Sequence, residues 1–317
     1  MVNLELPITL EEQVLQMKKY VLFRQRKKMR DFLDYAGYFR ASRYGKFLLS
    51  RVGVTGAKSK QDQLFALYSF DVELRRILGY YCNKAEVRFK SAVSNACSIK
   101  LNSGTFYLDN NSYTPSQGEN DAKKRKQNIS FFNNHLYKDI LGKEEKLRKD
   151  VRKYPELKEY RKGGNKQKNK LPVWVAFSYF ELGTVTMMYN YLRGDLRKAV
   201  LSYSFGKKSY SKKDTEIIDT WLDAVRNLRN YCAHNSMLVG MTSSVVLLDL
   251  NDDVNILKAD NDLFSRIYAL RKLIPSDDAS NLKRDIKNLI KRTSVDIILL
   301  GVLPRDWDDI YDRIVEF

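Results

Sequence analysis

Apolar residues recur at intervals of three and four positions along most of the chain, which is the spacing of amphipathic α-helices. Thr9 and Glu12 also have the spacing of a capping box, which predicts that the first helix begins there. The pattern predicts helices over residues 9–23, 31–49, 64–96, 171–192, 217–228, 262–273 and 279–291. Residues 243–248 are compatible with either a short strand or a helical turn. The chain is therefore predicted to be mainly α-helical, as a multi-helix bundle.

The helical pattern divides the chain into three regions. We find no internal repeat in the sequence. Residues 1–60 form an N-terminal helical region, and residues 243–317 form a C-terminal one. A helical core covers residues 61–242 and carries a basic insertion at about 121–170. The expected architecture is a helical core with two helical extensions.

Candidate chemistry is concentrated at the end of the helix predicted over 217–228, in the run Arg229-Asn230-Tyr231-Cys232-Ala233-His234. His234 is one of only two histidines in the chain. Asn230 and His234 are four residues apart and share a helix face, with Arg226 four further back. Arg229 lies about 140° around an ideal helix from His234. Its guanidinium must therefore reach round the helix or serve a site shared with another chain.

The charge of the chain points to a polyanionic partner, because 56 Lys and Arg stand against 38 Asp and Glu for a formal net charge of +18. Residues 123–170 alone hold 17 basic and six acidic residues, in two basic runs that bracket a predicted helix. The residues proposed to contact nucleic acid, either RNA or DNA, are Lys123, Lys124, Arg125, Lys126, Arg161, Lys162, Lys166, Lys168, Lys170 and Arg226. Solvated faces that aid solubility are the alternative for each run, and a surface charge is the alternative for Arg226.

Composition excludes several other classes of protein. Hydrophobic content of 44% is ordinary for a globular core, and no apolar run approaches the roughly 18 to 20 residues that span a bilayer. The first residues lack the pattern of a signal peptide, so a cytoplasmic location is expected. Cys82, Cys97 and Cys232 lack the spacing of metal ligands and are interpreted as small buried residues. No cofactor, metal or membrane partner is predicted.

The chain resembles the abortive-infection Abi family of bacterial anti-phage proteins, of the AbiD and AbiF kind, within the HEPN superfamily of helical ribonucleases. The similar segments lie in order along the chain at residues 7–13, 37–44, 68–75, 86–88, 172–174 and 301–307, together with Gly183. Arg229-Asn230 followed by Cys232-Ala233-His234 matches the HEPN pattern of arginine, a polar residue, a spacer and histidine. The chain departs from the family at residues 235–240 and at Ser178, where a glutamate is common.

The resemblance implies a HEPN-type bundle and a metal-independent endoribonuclease. His234 would be the general acid or base, Arg229 would stabilise the transition state, and Asn230 would orient His234. RNA cut in this way ends in a 2′,3′-cyclic phosphate and a 5′-hydroxyl, and DNA is not cut because it lacks the 2′-hydroxyl. The resemblance also implies a homodimer and a possible small non-coding RNA partner.

The alternative function is RNA binding without catalysis, as a scaffold, an antitoxin or an RNA-stabilising component. A lone histidine on a helix is more often structural than catalytic, and His135 carries no partner pattern. Glu86 and Arg88 are two residues apart, so packing and ion pairs are favoured for them over chemistry.

Overall fold

The protein is described here from a computed structural model, which covers residues 7–116, 118–161, 170–249, 253 and 256–315. Over these residues it is all-helical without a β-strand, which confirms the predicted helical class. The α-helices are α1 Leu10–Met17, α2 Arg26–Ala36, α3 Tyr38–Ser50, α4 Val52–Thr55, α5 Gln61–Leu101, α6 Ala122–Phe131, α7 Tyr137–Lys149, α8 Val173–Tyr179, α9 Leu182–Tyr191, α10 Gly194–Phe205, α11 Lys212–Ala233, α12 Leu263–Leu273, α13 Ser276–Arg292 and α14 Trp307–Arg313.

The helices belong to two compact units. The first is formed by Met1–Cys82 and Asn227–Glu316, and the second by Asn83–Arg226. The boundaries fall inside α5 and α11, so each of these helices contributes one end to each unit. The three regions drawn from the sequence stay a prediction.

α1 begins as predicted but ends earlier than its apolar pattern suggests. Thr9 and Glu12 make both hydrogen bonds of the capping box, which confirms the predicted start. The helix ends at Met17 and not near Phe23. The backbone of Leu22 instead donates to Ser59 O at 2.8 Å and accepts from Gln61 N at 3.0 Å. These bonds replace the helical ones, so tertiary pairing overrides the local pattern.

Two helices predicted as continuous are interrupted. Gly37 separates α2 from α3 within residues 31–49, with φ +77° and ψ 139°. Phe180 and Glu181 separate α8 from α9 within residues 171–192, and both have extended backbone. The apolar spacing continues through both breaks, which explains why periodicity did not reveal them. The pattern also did not predict α10.

Residues 243–248 form neither of the two structures considered for them. Backbone hydrogen bonds tie this segment to residues 260–262, through a single antiparallel bridge between Thr242 and Asp262. The segment also serves the neighbouring helix α12, because Val245 O accepts a hydrogen bond from Arg266. Arg266 is fully buried, so this irregular segment supplies an acceptor for a cation inside the first unit.

Aromatic side chains form much of the core of the second unit. The rings of Tyr107, Phe177 and Phe180 lie with centroids 5.8 to 6.1 Å apart. The Tyr107 hydroxyl donates to Leu171 O at 2.8 Å, so the buried phenol is satisfied.

None of the helices in the part of the chain that the structure describes is long and apolar enough to cross a membrane.

Substitution of Gly37 tests why the chain breaks between α2 and α3. We expect Gly37→Ala to destabilise the protein by about 1–3 kcal/mol, because its positive φ with extended ψ is nearly restricted to glycine. An added Cβ meets no atom within 4 Å there, so the cost is conformational. Gly53→Ala is the matched control, since its Cβ is equally free within α4. Urea unfolding should show a loss for Gly37→Ala and no loss for Gly53→Ala; equal effects would contradict the conformational explanation.

Candidate functional site

The predicted catalytic residues occupy the end of α11. Arg229 and Asn230 lie in its last two turns, and His234 is the first residue after its last helical residue, Ala233. The amide of His234 still donates to Asn230 O, at 2.9 Å. Asn230 and His234 are exposed, while Arg229 is half-buried. The motif therefore places an imidazole at the surface where the chain leaves the helix.

The chain leaves α11 through a turn that satisfies the terminal carbonyls. Asn235 has a left-handed φ of +52° and donates from its amide to Cys232 O at 3.3 Å. Ser236 N donates to Tyr231 O at 2.9 Å. This is the pair of bonds of a Schellman motif, with His234 as the cap residue and Asn235 in the position usually taken by glycine. Asparagine tolerates this conformation better than other non-glycine residues, which gives a structural reason for Asn235.

Beyond the turn, the chain is held by three residues that we call the anchor cluster, namely Tyr44, Asp71 and Arg75. One oxygen of Asp71 accepts hydrogen bonds from Leu238 N at 2.9 Å and Val239 N at 2.8 Å. The other oxygen accepts from the Tyr44 hydroxyl at 2.6 Å and from Arg75. Arg75 also donates to Ser236 O at 3.2 Å. The anchor cluster thus connects α3 and α5 to the segment that follows His234.

Burial makes the anchor cluster sensitive to charge. The side chains of Asp71 and Arg75 are 0% and 5% exposed. Burial raises the pKa of the Asp71 carboxyl, while Arg75, Tyr44 and the two backbone amides favour its ionised form. Burial also raises the pKa of Tyr44, so its hydroxyl keeps the proton that it donates. The Asp71 carboxylate is stable in this position because donors surround it.

α5 and the end of α11 approach closely at Gly79. A Cβ added to Gly79 would lie 3.5 Å from the Cβ of Cys232, at ordinary contact distance. Burial raises the pKa of the Cys232 thiol to about 12, so the side chain is neutral and packs as an apolar group. None of the three cysteines forms a disulfide. Cys82 and Cys97 are buried, which confirms the interpretation for these two, whereas Cys232 is half-buried.

The sequence contains one pattern that could have indicated the anchor cluster, although the analysis of apolar spacing did not use it. Asp71 and Arg75 are an i, i+4 pair of opposite charge on a helix whose neighbouring positions are apolar. A charged pair inside an apolar face predicts burial or a buried partner. The partners themselves lie 27 residues before Asp71 and 167 and 168 residues after it, at Tyr44, Leu238 and Val239, beyond the reach of local patterns.

Arg226 belongs to the second unit and makes its contacts there. Its guanidinium pairs with Asp223 at 3.0 Å, and a Cβ on Gly183 would lie 3.9 Å from its Cδ. That distance is ordinary, so the packing does not require glycine at position 183. Contact between Arg226 and phosphate stays a prediction.

The basic residues at 123–126 lie on α6 and are all exposed. Asp121 caps the helix by accepting from Lys124 N at 2.8 Å, and no residue of α6 is buried. Lys170 is also exposed. Lys162, Lys166 and Lys168 lie outside the described residues. Arg161 ends the 3₁₀-helix Pro155–Arg161, and its side chain is likewise not described.

Glu86 and Arg88 make separate contacts within the second unit. Glu86 pairs with Lys90 at 2.6 Å, and Arg88 donates to Ser204 O at 3.0 Å. These contacts agree with the packing and ion pairing favoured from their spacing.

A cleft of about 620 Å³ lies between α5 and α13 in the first unit, and the sequence did not predict it. Its polar lining includes Arg76, Tyr81, Asp285 and Arg292, with Tyr81 bonded to Asp285 at 2.7 Å. The residues of the motif are not part of this lining. The cleft and the motif are therefore distinct features of the first unit.

Comparison with known families gives the class of the protein. Residues 31–239 match the model of the Abi-like protein family, which is more than half of the chain. The match contains the anchor cluster, α6 and the motif, and it ends at Val239, where Asp71 holds the backbone. The chain therefore belongs to the Abi-like family, whose members act in abortive infection, a form of defence against phage. No curated protein and no solved structure is significantly similar to it.

The anchor cluster can be tested by removing its charge. We expect Asp71→Asn to lower the free energy of unfolding by about 3–5 kcal/mol, because Arg75 is left buried without an ionised partner. Tyr44→Phe is the control that keeps the ion pair but removes a hydroxyl that donates to Asp71 and accepts from Arg75, at a cost of about 1–3 kcal/mol. Urea unfolding of both variants measures the difference. A cost for Asp71→Asn no larger than for Tyr44→Phe would show that the ion pair does not stabilise this region.

Proposed function

We propose that this Abi-like protein is a metal-independent endoribonuclease of the HEPN type that acts on RNA during phage infection. The observation that carries the proposal is the exposed His234, placed at the end of α11 by a Schellman turn and followed by backbone bonded to the anchor cluster. An exposed imidazole on a fixed backbone is suited to proton transfer with a bound substrate.

In the proposed reaction, the ribose 2′-hydroxyl attacks the adjacent phosphorus. A P–O bond forms to the 2′-oxygen, and the bond from phosphorus to the 5′-oxygen of the next nucleotide breaks. His234 takes the proton of the 2′-hydroxyl or gives one to the leaving 5′-oxygen, and water exchanges the other proton, which is general acid–base catalysis. The products are a 2′,3′-cyclic phosphate and a 5′-hydroxyl, and the reaction is specific to RNA because DNA lacks the nucleophile.

Arg229 and Asn230 are assigned supporting roles in this reaction. A guanidinium is always charged and presents two parallel N–H donors, so Arg229 is suited to stabilise the negative charge of the phosphorane-like transition state. Asn230 precedes His234 by one helical turn on the exposed face and is proposed to orient the imidazole. Arg229 lies about 140° from His234 around the helix, which favours a composite site shared by two copies in a homodimer.

RNA binding is proposed for α6, whose exposed cluster Lys123, Lys124, Arg125 and Lys126 would contact phosphates. A small non-coding RNA is a possible partner of this surface, suggested by the family members that the chain resembles. The net charge of +18 supports an anionic partner.

The second candidate function is RNA binding without cleavage, as a scaffold or antitoxin. The exposed basic cluster of α6 favours it independently of the motif, because a binding surface of this kind needs no catalytic group. The two candidate functions predict different effects of replacing His234 on RNA cleavage.

Replacing His234 tests the nuclease. We expect His234→Ala to lower cleavage of total bacterial RNA about 10²- to 10⁴-fold in EDTA while RNA affinity is unchanged, since general acid–base catalysis contributes that much. End-group analysis of wild-type fragments should find cyclic phosphate. Ala233→Ser, an exposed neighbouring position, is the control for local disturbance and should cleave normally.

Three results would contradict the nuclease. One is equal cleavage by wild type and His234→Ala, and another is cleavage that leaves 3′-hydroxyl ends. RNA binding with no cleavage by the wild type under any infection-like condition would favour the scaffold function instead.

The contribution of α6 is tested with Lys124→Gln combined with Arg125→Gln. We expect weaker RNA binding and a shallower dependence of log affinity on log salt concentration, by about 0.7 for each lost phosphate contact on a single strand. The control is Lys291→Gln with Arg292→Gln, an exposed Lys–Arg pair at the end of α13 that changes net charge equally. Equal losses for the two pairs would assign the effect to net charge and not to α6.

A further inference from the structure

Two adjacent phenylalanines, Phe131 at the end of α6 and Phe132 directly after it, have opposite environments. A single π-helical turn, Phe132–Leu136, joins α6 to α7. Phe132 is fully buried, whereas Phe131 is 42% exposed. π-Helical turns inside α-helical segments occur frequently at functional sites. The widened turn here leads the chain from an exposed helix into one that is packed in the second unit.

The buried side of this turn is an aromatic cluster that holds Tyr191. The ring of Phe132 lies 4.9 Å from that of Tyr113, 5.6 Å from that of Tyr137 and 5.5 Å from that of Tyr191. The backbone of Tyr191 is also fixed, because its carbonyl accepts from Thr114 N at 2.8 Å. Tyr191 is therefore held in place from the inside of the unit.

The outer side of the turn presents three rings that we call the stacking platform: Phe131, His135 and Tyr191. The Phe131 ring is inclined by 29° to Tyr191, with centroids 6.3 Å apart, and by 30° to His135, with centroids 5.6 Å apart. Phe131 and His135 are exposed, and Tyr191 is half-buried. Near-parallel rings with an open face provide a surface on which a further planar ring can stack.

The charge beside the stacking platform favours a nucleic-acid occupant. Lys124 precedes Phe131 by seven residues, which is within about 20° of two full helical turns, so both lie on one face of α6. Their separation along the helix axis is about 10 Å. A strand with one base on Phe131 would carry its phosphates back along α6 toward the exposed cations. Single-stranded nucleic-acid sites combine these two features, a basic track and aromatic rings.

We infer that the stacking platform binds an unpaired base of single-stranded RNA while the cations of α6 bind the adjacent phosphates. The inference rests on the proposed RNA binding and adds the form of RNA that is bound. Base pairing and stacking within a duplex hide the faces of the bases, so the platform distinguishes single strands from duplexes.

The test uses the full chain carrying His234→Ala, so that cleavage does not alter the probe. The probe is a 16-nucleotide RNA with a 5′-fluorescein, measured by anisotropy as a single strand and as a duplex with its complement. We expect Phe131→Ala to weaken single-strand binding about tenfold, the effect of losing one stacked base, with duplex binding and the salt dependence unchanged. Phe131→Tyr should restore binding. Phe39→Ala, which removes a 79% exposed ring on α3, is the matched control and should bind normally.

A 2-aminopurine base in the same single strand reports stacking directly, because stacking on an aromatic ring quenches its fluorescence. We expect the His234→Ala parent protein to quench the fluorescence and Phe131→Ala to abolish the quenching.

Unchanged single-strand affinity of Phe131→Ala, or an equal loss of affinity for the duplex, would overturn the stacking platform and leave RNA binding by α6 intact. A parent that binds neither RNA would overturn both. Binding and stacking without any cleavage by the wild type would overturn the nuclease alone.

Discussion

The buried carboxylate of Asp71 is the constraint on which the geometry of the motif depends. A buried carboxylate must accept hydrogen bonds from protein donors in place of water. Asp71 accepts them from Arg75, from Tyr44 and from the backbone amides of Leu238 and Val239. Since two of those amides follow the motif within five residues of His234, the requirement to satisfy the charge also determines the course of the chain after α11. The backbone that follows the exposed His234 is thus held by an interaction in the core of the first unit.

The buried residues that fix the backbone are distinct from the exposed candidate catalytic residues. The residues that hold the end of α11 are buried, whereas His234 and Asn230 are exposed and contribute little to packing. The Schellman turn provides the transition between them, with Asn235 as the left-handed residue. Residues 235–239 thus act through their backbone, in the turn and in the bonds to Asp71 and Arg75.

In the second unit, exposed and buried side chains meet at the end of α6. α6 buries none of its residues and ends at the exposed Phe131, while the π-helical turn after it packs Phe132 inward. A helix without a buried face gains little from packing. The sequence marked α6 as strongly basic, but the contact of Phe131 with Tyr191, 60 residues away, became visible only in the tertiary structure.

The sequence by itself determined the helical class, the start of α1, the location of the motif at a helix end and the burial of Cys82 and Cys97. These depend on local periodicity, capping and composition, which nearby residues encode. Only the tertiary structure decided the breaks at Gly37 and at Phe180–Glu181, the end of α1 at Met17, the anchor cluster and the stacking platform. Each of these depends on hydrogen bonds, packing or backbone conformations that local patterns do not specify. Where such a contact satisfies a buried charge or a free amide, its free energy outweighs the preference of a continuing apolar pattern for one longer helix.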